Sequence, residues 1–337
     1  MDKKNLKKIA ILNVLKEQAK PVSSARITQL LNASGYDFSE RTVRFYLKEL
    51  DRDGLTVSCG RKGRNITEQG LSEFHSSQIM HRTGYLSARI DQMMYRMDFD
   101  LPRRSGKVVV NTSVADPQML LGYADEICQV FDKGYAMGKL LTLLSPGETI
   151  GETVIPDGKV GFCTVCSITV NGVLLKHGVP VSSRFGGLLE LVGGKATRFV
   201  EMIHYDGTSI DPLEVFIRSG MTDYHGAIRD GNGQIGGSFR DIPADSRELV
   251  SHISERLDSI GLGAIMELGL PGQPLLDIPV NYGQIGAIVV GGLNPIAILE
   301  EQECRVVSRA LNGLMDYSRL FYFDEFPLRL KKIIAES

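Results

Sequence analysis

Apolar residues recur every third or fourth position through the first fifty residues, and they sort into three stripes. Leu6, Ile9, Leu12 and Leu15 predict a first helix that ends before Pro21. Ile27, Leu30 and Leu31 predict a second, capped by Ser23 or Ser24 and closed by Gly35. Val43, Leu47 and Leu50 predict a third, with Ser39 as its N-cap and Gly54 as its stop. The pattern then shortens. Residues 55–58 and the stretch around 65–67 read as short strands either side of a glycine-rich turn at 60–63. Three helices followed by a hairpin is the order of a winged helix-turn-helix, assigned here to residues 1–76.

From about Leu71 to Met97 the chain again reads as helical, and it forms a connector over 77–104 that ends near Pro102. Leu86, Ile90, Met93 and Met97 step by 4, 3 and 4, and Ile79 lies one heptad before Leu86. Two readings fit this spacing: a dimerisation seam, which predicts a homodimer, or a helix packed on the core of the next domain.

Residues 105–337 contain an internal repeat with halves of about 106–224 and 233–320. VGFCTVCSITVNGVLLKHGVPV (160–181) lies over IGLGAIMELGLPGQPLLDIPV (260–280) at an offset of 100, pairing Gly161 with Gly261 and Gly172 with Gly272. GKVVVNTSVAD (106–116) resembles GQIGGSFRDIPAD (233–245), and SGMTDY (219–224) resembles NGLMDY (312–317). The repeating unit is predicted as strand, helix, several strands with an Asn-Gly or Pro-Gly turn, then a last helix. The fold class expected is α+β: an N-terminal winged helix-turn-helix, a connector helix, and a duplicated effector domain with a pseudo-two-fold midline suited to a ligand.

Charge sharpens this division. The 337 residues carry a net charge of −2, yet residues 1–75 hold fourteen Lys and Arg against nine Asp and Glu, a net of +5. The remainder must then carry −7. On the third helix Arg41, Arg44 and Lys48 share one face, and Arg61, Lys62 and Arg64 lie on the predicted wing. Two basic elements converge where a winged helix meets double-stranded DNA, and arginine suits both phosphate and guanine edges. A solvated face or a protein-binding scaffold is the alternative. No stretch reaches transmembrane length and the lysine-rich start has no apolar signal core, so a cytoplasmic protein without a membrane partner is expected. Five cysteines, an odd number, argue against a disulfide framework.

Within the large domain two arginines stand out. Arg184 (PVSSRFGG) is aligned with Gly283, and Arg240 (GGSFRDIP) with Ser113 or its neighbour. Each sits among glycines and apolar residues, where a cation needs an anionic partner. They are read either as forks from opposite halves that clamp a small dicarboxylate or as ordinary salt bridges, with Asp211 or Asp241 as partner. Cys163 and Cys166 form a lone CxxC read as two core thiols, with no second pair for zinc. The six histidines make no metal motif, no GxGxxG opens a helix, and Asp206 and Asp211 look like turn and capping residues. Neither a cofactor nor an enzymatic constellation is expected.

These residues carry a resemblance to the NrpR family, nitrogen regulatory repressors first known from methanogenic archaea. The matching stretches are CSITVNGV (166–173), GVPVSSRFGGLLEL (178–191), YDGTSIDPLEVFI (205–217), SGMTDY, SFRDIPA (238–244) and GGLNPIA (291–297). The resemblance covers nearly the whole chain, since the family also places a winged helix first. It implies a dimeric repressor of nitrogen-assimilation genes that leaves its operator when 2-oxoglutarate accumulates; a dimer in turn predicts an inverted-repeat operator on double-stranded DNA. The positions inside matched segments are Cys166, Arg184, Gly186, Gly187, Thr208, Ser209, Arg240 and Asn294. Some members carry two effector domains in tandem; this sequence shows one. The competing reading is a metabolic enzyme with a DNA-binding head that regulates its own gene.

Overall fold

In the computed structural model the described residues are 3–16, 18, 20–71, 86–304 and 306–336, and they divide into two units, 1–84 and 85–337. The first unit has the predicted order: helices α1 (Lys3–Lys16), α2 (Ser24–Ala33) and α3 (Glu40–Arg52), then strands β1 (Thr56–Ser58) and β2 (Arg64–Ile66). Both predicted caps form, Ser23 Oγ accepting from Arg26 N and Ser39 Oγ from Thr42 N. Ile11, Ile27, Val43, Leu47 and Leu50 fill the core between the helices. The hairpin is tied down by a bridge in which Val22 and Arg64 exchange backbone hydrogen bonds of 3.0 Å. Gly63 permits that bridge, because its φ is +114° and a Cβ there would strike the Val22 backbone.

The second unit opens with α4 (Leu86–Arg96). Its first half then runs β3 (Lys107–Ala115), α5 (Pro117–Gly122), α6 (Ala124–Asp132), β4 (Leu140–Leu144), β5 (Thr149–Ile150), β6 (Thr153–Val154) and β7 (Val160–Val165). It continues through α7 (Ile168–Lys176), β8 (Ser182–Val192), β9 (Lys195–His204), α8 (Pro212–Arg218) and α9 (Tyr224–Asp230). The second half comprises β10 (Gly233–Pro243), α10 (Arg247–Ser259), β11 (Ile265–Leu268), β12 (Gln284–Val290), α11 (Ala297–Glu301), β13 (Val307–Asp316), β14 (Phe321–Tyr322) and α12 (Phe326–Glu336). Two antiparallel five-stranded sheets result, in the orders β13-β3-β7-β4-β14 and β11-β12-β10-β8-β9.

These orders reveal a strand exchange. β3, β7 and β4 of the first half correspond to β10, β12 and β11 of the second, and each trio is extended by a strand from the other half. β13 pairs with β3, and β8 pairs with β10. Backbone bonds fix the equivalence: Cys166 N donates to Val109 O and Gly291 N to Gly236 O. Ser308 faces Ser113 as Ser183 faces Arg240. The duplication is therefore present, but its register is not the offset of 100. β7 answers to β12, so 160–165 corresponds to 285–290. Arg240 falls opposite Ser113 as expected, whereas the counterpart of Arg184 is Arg309 and not Gly283. SGMTDY lies between α8 and α9 while NGLMDY ends β13, so that likeness is not structural.

Two further expectations change. The Asn171-Gly172 pair is no turn but the middle of α7, whose residues 168–174 are all buried. An apolar run buried on every side carries no period that separates strand from helix. Gly172 is small there because Met97 packs directly on it. The helical connector also resolves. Its described part belongs to the large unit, with Leu86 and Ile90 0 % and 2 % exposed and α4 packed on α7 and β13. Side chains consumed by their own unit cannot form a dimer seam, so the packing alternative holds; Ile79 lies outside the described residues. Leu86→Ala is expected to cost the large unit about 2–5 kcal/mol in chemical denaturation. Unchanged stability with loss of self-association would instead restore the seam.

Candidate functional site

β10 carries Arg240 into the interior of the large unit, where the residue is 1 % exposed. Its guanidinium meets neutral groups from three elements. Nη1 donates to Asn171 Oδ1 on α7 and to Ser183 Oγ on β8 at 3.3 Å. Nη2 donates to Ser167 Oγ just before α7 at 3.0 Å and to Ser238 Oγ at 3.2 Å. Nε has no partner, and among the described residues no carboxylate comes within ion-pairing distance. Burial holds this guanidinium below its ordinary range. A buried cation satisfied only by hydroxyls and an amide keeps most of its desolvation cost, which an anion would offset.

The space beside it lies where the two halves meet. Cys166, Ser167, Tyr205, Asp211, Ser238 and Gly291 line a cavity of about 20 Å³, room for roughly one water molecule. Gly292 is required at this junction, since a Cβ would collide with Val165 O and the Asn111 amide. Asp211 caps α8 by accepting from Leu213 N at 2.9 Å. Burial first, and then the nearby Glu214 charge, push its carboxyl up to about 7. Burial likewise drives the Cys163 and Cys166 thiols up to about 12, the opposite of nucleophile activation.

The candidate residues do not all converge here. Cys166 lines the cavity and Arg240 bonds two of its walls. Arg184 is elsewhere. It neighbours Asp241 Oδ1 at 3.5 Å, donates to Pro279 O at 2.7 Å and stacks over Phe239. Phe239 and Asp241 flank Arg240 in β10 and so face the other side of the sheet. The two arginines therefore form no common clamp, and the salt-bridge reading holds for Arg184 with Asp241. Gly186 and Gly187 sit in β8 between two paired strands, so their amides serve the sheet. Their lack of side chains makes room for Pro212, Tyr205 and Phe199. Thr208 closes a local turn with Ile210 and accepts Leu86 N through its carbonyl, with half-buried Ser209 beside it. Asn294 bridges Tyr135 O and Gly236 O, while its Oδ1 is buried without a donor. Ser167, Asn171, Ser183 and Ser238 were not singled out in the sequence. Only a helical reading of 168–176 would have set Ser167 and Asn171 four residues apart on one face.

In the first unit Arg41, Lys48 and Lys62 are exposed on α3 and the hairpin turn. Phe45 is 55 % exposed among the basic residues of α3, an apolar contact the charge pattern concealed. Arg44 is held by Glu40 at 2.6 Å and by Ser24 at 3.2 Å. Arg64 of β2 pairs with Asp51 of α3 at 2.8 Å, which makes it first a structural cation.

The raised Asp211 carboxyl predicts a pH dependence. Its folded pKa of about 7 exceeds the ordinary carboxylate value, so the folded state holds a proton that the unfolded chain releases. The stability this proton supports is complete below about pH 4 and is lost as pH rises through 7. Asp211→Asn retains the cap and should flatten that decline, raising stability at pH 8 by a few kcal/mol. Parallel pH–stability curves for the two proteins would contradict the assignment.

Comparison with known proteins agrees with both units. The family described as NrpR regulatory domains NRD1 and 2 matches residues 83–321, and the ribonuclease R winged-helix domain family matches 9–74. The chain is 34% identical to the global nitrogen regulator NrpRI of Methanosarcina mazei, over 93% of this chain and 97% of that protein. It is 31% identical to the global nitrogen regulator NrpR of Methanococcus maripaludis, over 93% of this chain but only 54% of the relative. A solved nitrogen repressor-like protein from Methanococcus jannaschii superposes with a TM-score of 0.60 at 26% identity, covering 71% of this chain and 98% of that one. Among the described residues no helix is long and apolar enough to cross a membrane. The chain belongs to the NrpR family, with a winged-helix unit ahead of its regulatory region.

Proposed function

We propose that this protein is a nitrogen-responsive transcriptional regulator that represses nitrogen-assimilation genes and leaves its operator when 2-oxoglutarate accumulates. The observation that carries the ligand half of this reading is Arg240, a buried guanidinium with no carboxylate partner among the described residues. A dicarboxylate supplies the missing anion. The niche of about 20 Å³ is too small for such a ligand, so binding requires the two halves to open around Ser167 and Gly291. That requirement couples occupancy to conformation, because the ligand selects the opened arrangement over the closed one. Regulation is favoured over catalysis because the relatives are named as nitrogen regulators.

For DNA, the reading is that α3 enters the major groove of an inverted-repeat operator, with Arg41, Phe45 and Lys48 presented to it and Lys62 on the wing. A homodimer would match the two half-sites. Affinity should fall steeply with salt, since phosphate neutralisation releases counterions. Arg41→Ala should weaken specific binding by about 1–3 kcal/mol if it reads a base, whereas Lys62→Ala should weaken all sequences alike. Arg64→Ala should mainly destabilise the hairpin. Saturating 2-oxoglutarate should lower operator affinity roughly 5- to 150-fold. Arg240→Lys should bind operator but lose that response, and Arg184→Ala should keep it. Salt-independent DNA binding, or an Arg240→Lys protein that responds normally, would contradict the proposal.

A further inference from the structure

The charged face of α3 carries one group of another kind. Arg41, Phe45, Lys48 and Arg52 recur at steps of 4, 3 and 4, so they form one exposed stripe. It lies opposite the buried stripe of Val43, Leu47 and Leu50. A single exposed apolar residue is ordinary on a protein surface. Phe45 differs in its place, being 55% exposed in the middle of a row of cations. Such a row is costly to bury against an apolar protein partner and attracts a polyanion. The ring is also braced. Tyr46, half-buried on the core of this unit, meets it edge-on with centroids 5.3 Å apart. The stripe therefore holds an apolar probe between hydrogen-bond donors.

A helix in the major groove meets apolar groups of one kind only. Base edges there present acceptors and amino donors, and the one methyl among them is the 5-methyl of thymine. We infer that Phe45 reads a thymine 5-methyl group, and that the DNA bound by this chain carries thymine at that position. The inference rests on the reading that α3 enters the major groove. A cytosine at the same place would offer no methyl and would leave its amino group against the ring without an acceptor. Arg41 lies one turn before Phe45, about 6 Å along the helix axis, a span of about two base-pair steps. The thymine therefore falls within about two base pairs of the edge that Arg41 faces. The guanidinium and the ring then divide the recognition, one selecting by hydrogen bonds and the other by shape and apolar contact.

Selection by the full chain from a pool of random-sequence duplexes supplies the probe. The recovered duplexes should share a thymine, and resynthesis with deoxyuridine at each thymine in turn removes one methyl while leaving the base pair intact. At the shared position the wild type should bind the deoxyuridine duplex about fourfold more weakly, the scale of one buried carbon. Phe45→Ala should bind both duplexes alike, and Phe45→Leu, which keeps an apolar tip, should restore part of the preference. Phe45 is exposed, so neither change touches the core. The assignment is overturned if deoxyuridine at every position binds as thymine does, or if Phe45→Ala keeps the full methyl preference. Either result leaves duplex binding standing, with the ring packed on sugar and backbone alone. A chain that selects no duplex overturns this assignment together with the operator reading beneath it.

Discussion

Exchange of β8 and β13 between the two halves is the constraint on which the large unit depends. Each half builds three strands and takes the next from the other, so neither completes its sheet alone. The junctions β7-to-α7 and β12-to-α11 are thereby brought together, with Gly292 against Val165 and Cys166. Only a glycine lets two backbones approach so closely. The niche at that junction is a consequence of the exchange, and any ligand entering it must act on both halves.

The chemistry arises where the duplicated halves differ. At one position of the pseudo-symmetric pair, Ser113 and Ser308 share a hydrogen bond of 2.8 Å in a small, fully satisfied contact. At the other, Arg240 replaces the first serine and reaches Ser183, Ser167 and Asn171. One side is thus a neutral latch and the other a buried cation. Asp211 stands on the same cavity, and its carboxyl near neutrality lets it be proton donor or acceptor there. The opposite face of the second sheet is organised differently, with Arg184 committed to Pro279, Phe239 and Asp241.

Much of this was legible in the sequence. The winged-helix unit followed from three amphipathic stripes, two serine caps and a basic turn, because each local signal agreed with the others. The duplication and the equivalence of Arg240 with Ser113 were also legible. The strand exchange was not, since pairing partners far apart along the chain leave no local signature. Its register was misread because Gly-Pro spacing at 160–181 and 260–280 is a turn likeness, whereas the true match is apolar strand on apolar strand. The two-arginine clamp failed for a related reason: strand parity, which puts neighbouring positions on opposite faces, cannot relate residues on different strands until their register is known. Leu86 and Ile90 had the spacing of a seam, and spacing alone does not say which surface covers it.

The central claim is that Arg240 is an uncompensated cation awaiting an anion at the junction of the halves. Thermal unfolding with and without 2-oxoglutarate, for the wild type and for Arg240→Met, tests it most directly. The account predicts a midpoint that rises with ligand in the wild type and stays flat in Arg240→Met. The unliganded variant loses stability through the buried acceptors left behind on Asn171 and Ser238, offset in part because removing the cation removes its desolvation cost. An equal ligand-dependent rise in both proteins would contradict it.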